Sequence, residues 1–179
     1  MRRSRQSPLG FLYDAPLHGY ELHKRITALT GHVKPVAEST LYPAIKRLEN
    51  ARLLERATQP GSVAAPRHVL TLTEEGAREL RRRLAEPSRR DITDENRWFT
   101  VLAFLKRLED PAAQAAVLRS RLAFLEEPAS FFYDGDRPLR AEELDDPFRA
   151  GILTIARATS QAELAWLRTT LMALGAAGH

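Results

Sequence analysis

The chain has 179 residues, no cysteine, 44% hydrophobic and 28% charged side chains, a balance that excludes collagen, disulfide scaffolds and wholesale disorder. No run approaches the roughly 20 uncharged apolar residues needed to cross a bilayer, and Met1-Arg2-Arg3-Ser4-Arg5 leads into too short an apolar patch for an export signal, so a cytoplasmic location is expected. The net charge of +4 is uneven: residues 1–87 hold 15 Lys+Arg against 9 Asp+Glu and residues 88–179 hold 12 against 14, which suggests a polyanion-binding part ahead of one that senses or assembles.

In chain order, Leu9, Phe11, Leu12 and Tyr13 form an apolar turn or two that ends at Asp14-Ala15-Pro16, because the residue before proline is pushed out of the helical region. A helix is predicted from Gly19 to Thr30, with Leu22, Ile26 and Leu29 on one face and Gly31 as its stop. A third runs from about Ser39 to Ala51, with Ser39 or Thr40 as its N-cap and Pro43 in or just after its first turn. Leu41, Ala44, Ile45 and Leu48 form its apolar back. Ser39, Pro43, Lys46 and Asn50 point the other way, flanked by Tyr42 and Arg47.

Two strand-like runs follow, Leu53 to Thr58 and Arg67 to Leu72, joined by a connector whose Pro60-Gly61-Ser62 reads as a flexible hairpin tip. Thr73 caps a helix from Glu74 to Glu86. Pro87 to Asp91, polar apart from the proline, is the expected boundary between domains 1–87 and 88–179. Beyond it the periodicity is helical: Ile92 to Leu108, a helix opened by Asp110-Pro111, a loop from Pro128 to Pro138 containing Phe131-Phe132-Tyr133, and a short acidic helix near Glu142. Asp146-Pro147 then opens a helix ending near Leu174. One stripe on it is Phe148, Ile152, Ile155, Thr159, Ala162 and Trp166, and a second is Leu164, Leu167, Leu171 and Leu174. A helix apolar on two faces needs two surfaces to pack against.

The order helix, helix, helix, hairpin, helix is that of a winged helix-turn-helix, in which the third helix enters the major groove. The fold class expected is therefore mainly α: a winged helix-turn-helix with a two-stranded wing, followed by an all-helical domain. A reading helix needs an apolar back, small or polar residues toward the bases and cations toward the phosphates, and residues 39–50 supply all three. Winged helices also serve as protein-binding modules, and that alternative stays open on the pattern alone. Sequence-independent affinity is assigned to Lys24, Lys46, Arg47, Arg56 and Arg67. Arg47 either bonds guanine bidentately, clamps a phosphate, or pairs with Glu49 or Glu55.

The runs Leu17-His18-Gly19-Tyr20-Glu21-Leu22, Ser39-Thr40-Leu41-Tyr42-Pro43-Ala44-Ile45-Lys46-Arg47-Leu48-Glu49 and Leu72-Thr73-Glu74-Glu75-Gly76 resemble the PadR family of bacterial transcriptional regulators over roughly residues 7–86. The second half looks like the larger subfamily with a helical Vir-type C-terminal domain. The resemblance implies a homodimeric repressor that pairs or swaps its C-terminal helices, binds an inverted repeat in double-stranded DNA, and is often released by a small aromatic effector. Carried over by position, Ser39, Thr40, Tyr42, Lys46 and Arg47 meet DNA through the reading helix, and Tyr20, Arg67 and His68 meet phosphates; Pro43 and Lys24 are expected in the same contact surface. The dimer surface is expected at Phe148, Ile152, Ile155, Trp166, Leu167 and Leu171. Where Leu70 stands the family usually has an aromatic residue, but hydrophobic size is kept and the hairpin should survive.

Trp98 and Trp166, with Phe99 and Phe104, suit either ordinary dimer core or flat walls around an effector. The five histidines, at 18, 23, 32, 68 and 179, lack the i, i+4 spacing or cysteine partners of a zinc site. The paired acidic residues fall at helix ends or in loops, where dipoles and solvation account for them. No nucleophile elbow or phosphate loop is present, so no metal, cofactor or enzymatic activity is expected.

Overall fold

Punctuation by proline, glycine and capping side chains divides the chain into short elements that assemble as two units, Met1–Leu108 and Glu109–His179. The computed structural model describes residues 6–30, 37–59, 67–127 and 133–177. The Arg2, Arg3 and Arg5 arm, the Gly31 stop, the tip at Pro60-Gly61-Ser62 and the Phe131-Phe132 pair lie outside the described residues.

In the first unit, α1 (Gln6–Leu12) leads to a two-residue strand β1 (Leu17–His18), then α2 (Gly19–Thr30) and α3 (Glu38–Asn50). Strands β2 (Leu54–Gln59) and β3 (Arg67–Leu72) form the hairpin, and α4 (Glu74–Ala85) follows. The sheet order is β1-β3-β2. Leu17 pairs with Leu70 and His18 with Val69, while β2 runs antiparallel along the other side of β3 from Leu54↔Leu72 to Gln59↔Arg67. Two residues are too few for an alternating pattern to show, so β1 has no signature in the sequence. Leu9, Leu22, Ile45, Leu70, Leu80 and Leu84 are all fully buried. Leu70 fills its place in this core with no aromatic ring.

Thr73 caps α4 by accepting from the Gly76 amide at 2.9 Å. Within α4, Glu79 accepts from Arg82 at 2.8 Å and Arg83 at 2.7 Å, and the hydrogen bond from Arg82 leads in holding its carboxyl down at about 2, below the ordinary 4.5. A carboxylate with a depressed folded pKa adds stability that is complete above its unfolded pKa and is lost as pH falls through the folded one. Glu79→Gln is therefore expected to lower the thermal midpoint at neutral pH and to flatten its fall between the ordinary 4.5 and about 2, so that the two proteins converge at the acid end.

The segment expected as a linker is structured. Ser88 and Asp91 form a reciprocal capping box that opens α5 (Arg89–Thr93), and the predicted single helix from Ile92 is broken at Asp94, whose side chain accepts from the Arg97 amide and starts α6 (Glu95–Phe104). A short 3-10 turn, Leu105–Leu108, ends the unit. Trp98, Val101 and Phe104 are buried, and the Phe104 ring meets Phe11 edge to face, centroids 5.1 Å apart. Gly10 lets them approach: a Cβ there would lie 2.5 Å from the Phe104 ring. Because α6 is anchored on α1, the first compact unit runs on to Leu108, past the boundary expected after residue 87.

In the second unit, α7 (Pro111–Glu126) is capped by Asp110, which accepts from the Ala112 and Ala113 amides. A small hairpin, β4 (Tyr133–Asp134) and β5 (Arg137–Pro138), turns through Gly135 at φ 60. A 3-10 turn at Ala141–Glu143 precedes α8 (Pro147–Ala177), 31 residues or about 46 Å long. Along α7 and α8, Val117, Leu118, Leu153 and Leu167 are buried, and Arg121, 4% exposed, forks onto Glu163 with two bonds of 2.8 Å. A buried charge needs such a partner, and this one fixes the register of α7 on α8.

Candidate nucleic-acid interface

Leu41, Ile45 and Leu48 hold α3 on the core. The opposite face is open: Ser39, Thr40, Tyr42, Pro43, Lys46 and Arg47 are all exposed. The helix begins one residue earlier than predicted, and its N-cap is Ala37, with no side-chain cap. Ser39 and Thr40 are therefore in the first turn, and their hydroxyls are not spent as caps. Pro43 has no N–H to return to the Ser39 carbonyl, which leaves that acceptor without its helical bond.

Tyr20 is 72% exposed and Lys24 follows it by one turn on α2. A Cβ on Gly19 would meet the Tyr42 ring at 3.5 Å, so the start of α2 abuts the exposed face of α3 and brings Tyr20 and Tyr42 into one neighbourhood. On the hairpin, Arg67 is the first residue of β3 and His68 is exposed. The His18 ring lies 3.2 Å, through Nδ1, from the His68 carbonyl, so β1 ties the wing to the residue before α2. No ion pair among the described residues holds Lys24, Lys46 or Arg47.

Arg56 differs from the sequence expectation. It is engaged by Glu49 at 2.6 Å and so is not a free cation. Arg47, for which pairing with Glu49 or Glu55 was an open alternative, makes neither pair. The sequence does hold a signal for the pairing of Arg56, since a carboxylate in the last turn of a helix opposes the dipole and calls for a cation.

The residues assigned to an effector belong to both units. Trp98 is 0% exposed, inside the core of the first unit, while Phe99 is half-exposed on the same helix and Trp166 is 44% exposed on α8 of the second unit. Of the residues assigned to a dimer surface, Phe148, Ile152 and Ile155 are 82%, 53% and 70% exposed. Leu167 is core of its own unit, because it lies on the stripe with Leu153 that α7 covers, and Leu171 is half-buried. Among the described residues, no three His, Asp or Glu are grouped to hold a metal ion, and no helix is long and apolar enough to cross a membrane.

Three helices, a strand-paired wing and a third helix that opens Lys46 and Arg47 to solvent define a DNA-binding winged helix-turn-helix. Residues 9–82, the span of the winged helix, match the transcriptional regulator PadR-like family. No curated protein matches the sequence. Among solved structures, a transcriptional regulator from Clostridium thermocellum is 27% identical, over 46% of this chain and 79% of that one, with a TM-score of 0.42. A PadR family regulator from Eggerthella lenta is 35% identical over 42% and 65%, TM-score 0.35. Bacillus subtilis PadR, solved in complex with operator DNA, is 22% identical over 96% and 99%, TM-score 0.45.

Proposed function

We propose that the protein is a cytoplasmic, homodimeric repressor that binds an inverted-repeat operator, with residues 1–87 contacting DNA and residues 88–179 carrying dimerisation and effector response. The observation that carries this reading is the face of α3: Ser39, Thr40, Tyr42, Lys46 and Arg47 all open to solvent above a buried Leu41, Ile45 and Leu48. Tyr20, Lys24, Arg67 and His68 extend the contact along the phosphates on either side. Two such helices related by a two-fold axis read half-sites about 34–36 Å apart, which makes the operator a near-palindrome.

Pairing through α8 is supported by its open stripe. Phe148, Ile152, Ile155, Thr159, Ala162 and Trp166 alternate four and three residues apart, the repeat of helices that pair along a seam. Release by a small aromatic effector completes the proposal. Such a ligand must bind the DNA-incompetent form better than the competent one; of the rings assigned to it, Phe99 in the first unit and Trp166 in the second are each exposed.

Selecting bound fragments of genomic DNA with the purified protein, then titrating the recovered duplex at rising salt, tests the reading. With some six phosphate contacts per dimer, affinity should fall about 10³-fold or more between 0.05 and 0.2 M salt. Recovery of no fragment above background, or a flat salt profile, would overturn it in favour of a protein-binding winged helix.

A further inference from the structure

The corner joining α3 to the wing is held at several points. Glu49 sits in the last turn of α3, where a carboxylate faces the negative end of the helix dipole. Arg56 on β2 answers it, Nε donating to Oε1 at 2.6 Å and Nη2 to Oε2 at 3.2 Å. That two-pronged geometry fixes orientation as well as distance. Between the two residues the chain turns through Arg52 at φ 57, a left-handed conformation that a residue with a side chain adopts only where its surroundings impose it. Thr73 Oγ1 donates to the Arg52 carbonyl at 2.8 Å, and Gly76 lies so close to the Leu53 carbonyl that no Cβ fits between them. Arg56 stands opposite Leu70 in the ladder, on the face of the hairpin that carries the buried Leu54 and Leu70.

We infer that Glu49 and Arg56 are a positioning pair that sets the angle of the wing against the reading helix, and that the pairing withholds Arg56 from DNA phosphate. The inference rests on the DNA-binding reading above. Its consequence is that the two partners are not equivalent. Removing the carboxylate loosens the corner and releases a cation toward the DNA, so non-operator binding tightens. Removing the guanidinium loosens the corner and changes no phosphate contact.

The test titrates Glu49→Gln, Arg56→Gln, Arg56→Lys and the exchanged pair Glu49→Arg/Arg56→Glu against the selected operator duplex and a random-sequence duplex of equal length, across a salt series. The ratio of operator to random affinity is expected to fall roughly three- to tenfold in both Gln variants, as befits a part-exposed pair. The salt slope on random duplex should steepen by about 0.9 per protomer in Glu49→Gln and stay unchanged in Arg56→Gln. Arg56→Lys, which keeps the charge without the fork, should lose part of the ratio at an unchanged slope, and the exchanged pair should recover the ratio. Flattening of the slope in Arg56→Gln with an intact ratio would make Arg56 a phosphate contact and overturn the inference, as would a ratio unmoved in Glu49→Gln. Failure of the unaltered protein to bind any duplex would instead bring down the DNA-binding reading itself.

Discussion

Lys46→Glu/Arg47→Glu is expected to abolish operator binding, lowering affinity more than about 10³-fold at roughly 0.1 M salt, while leaving the fold intact. Both side chains are exposed, and neither is held by an ion pair among the described residues, so reversing them removes no internal contact. The carboxylate introduced in place of Lys46 stands one turn from Glu49, a like-charge neighbour worth a few tenths of a kcal/mol on a helix. Against DNA the same change acts twice in the proposed dimer. Four cations that displace counterions become four anions that repel phosphate, and any bidentate bond from Arg47 to guanine goes with them. A mobility-shift titration beside a thermal melt separates the effects: the melting midpoint should move by only a few degrees while the shifted band disappears. Retained binding with an unaltered salt slope would place the contact surface elsewhere.

Elements whose signals are local were legible in the sequence. The periodicity of α2 and α3, the hairpin flanked by Pro and Gly, the Thr73 cap and the Asp110-Pro111 start of α7 are each written within a few neighbouring residues, and each stands in the structure close to its predicted bounds. Three features were not legible in that way. β1 exists because β3 offers it a partner some 50 residues away, a tertiary cause with no local pattern. The break at Asp94 falls in a stretch, Thr93 to Arg97, without an apolar side chain, where no period marks a boundary either way; the Asp94 side chain accepts from the Arg97 amide and begins a new helix. Ser39 and Thr40 are good capping residues, yet the cap falls on Ala37, which leaves both hydroxyls on the open face of α3. At the site, which cations are free was likewise a matter of geometry. Glu49 at the end of α3 calls for a cation, and the folded corner picks Arg56 over Lys46 and Arg47 as the one it engages.

Ile152→Asp/Ile155→Asp should convert the proposed dimer to monomers, weakening self-association by more than about 10³-fold, because each such dimer would bury four carboxylates in an apolar seam at several kcal/mol per ion. In the isolated protomer the same substitutions are mild. Both positions are exposed, and Asp costs only some tenths of a kcal/mol as an interior helix residue, so the melting of the second unit should change little. Leu153→Asp provides the contrast, since Leu153 is 1% exposed beside Leu167 on the stripe that α7 covers; a charge there should unfold the unit before it separates protomers. Sedimentation velocity and a thermal melt of both variants give opposite outcomes, monomer with a normal midpoint against a collapsed midpoint. Operator affinity should follow the oligomeric state, because a monomer engages one half-site and forfeits the effective concentration that links the second. If Ile152→Asp/Ile155→Asp stays dimeric with undiminished operator affinity, the seam lies off this stripe, and the apolar face of α8 must be covered by something other than a second copy.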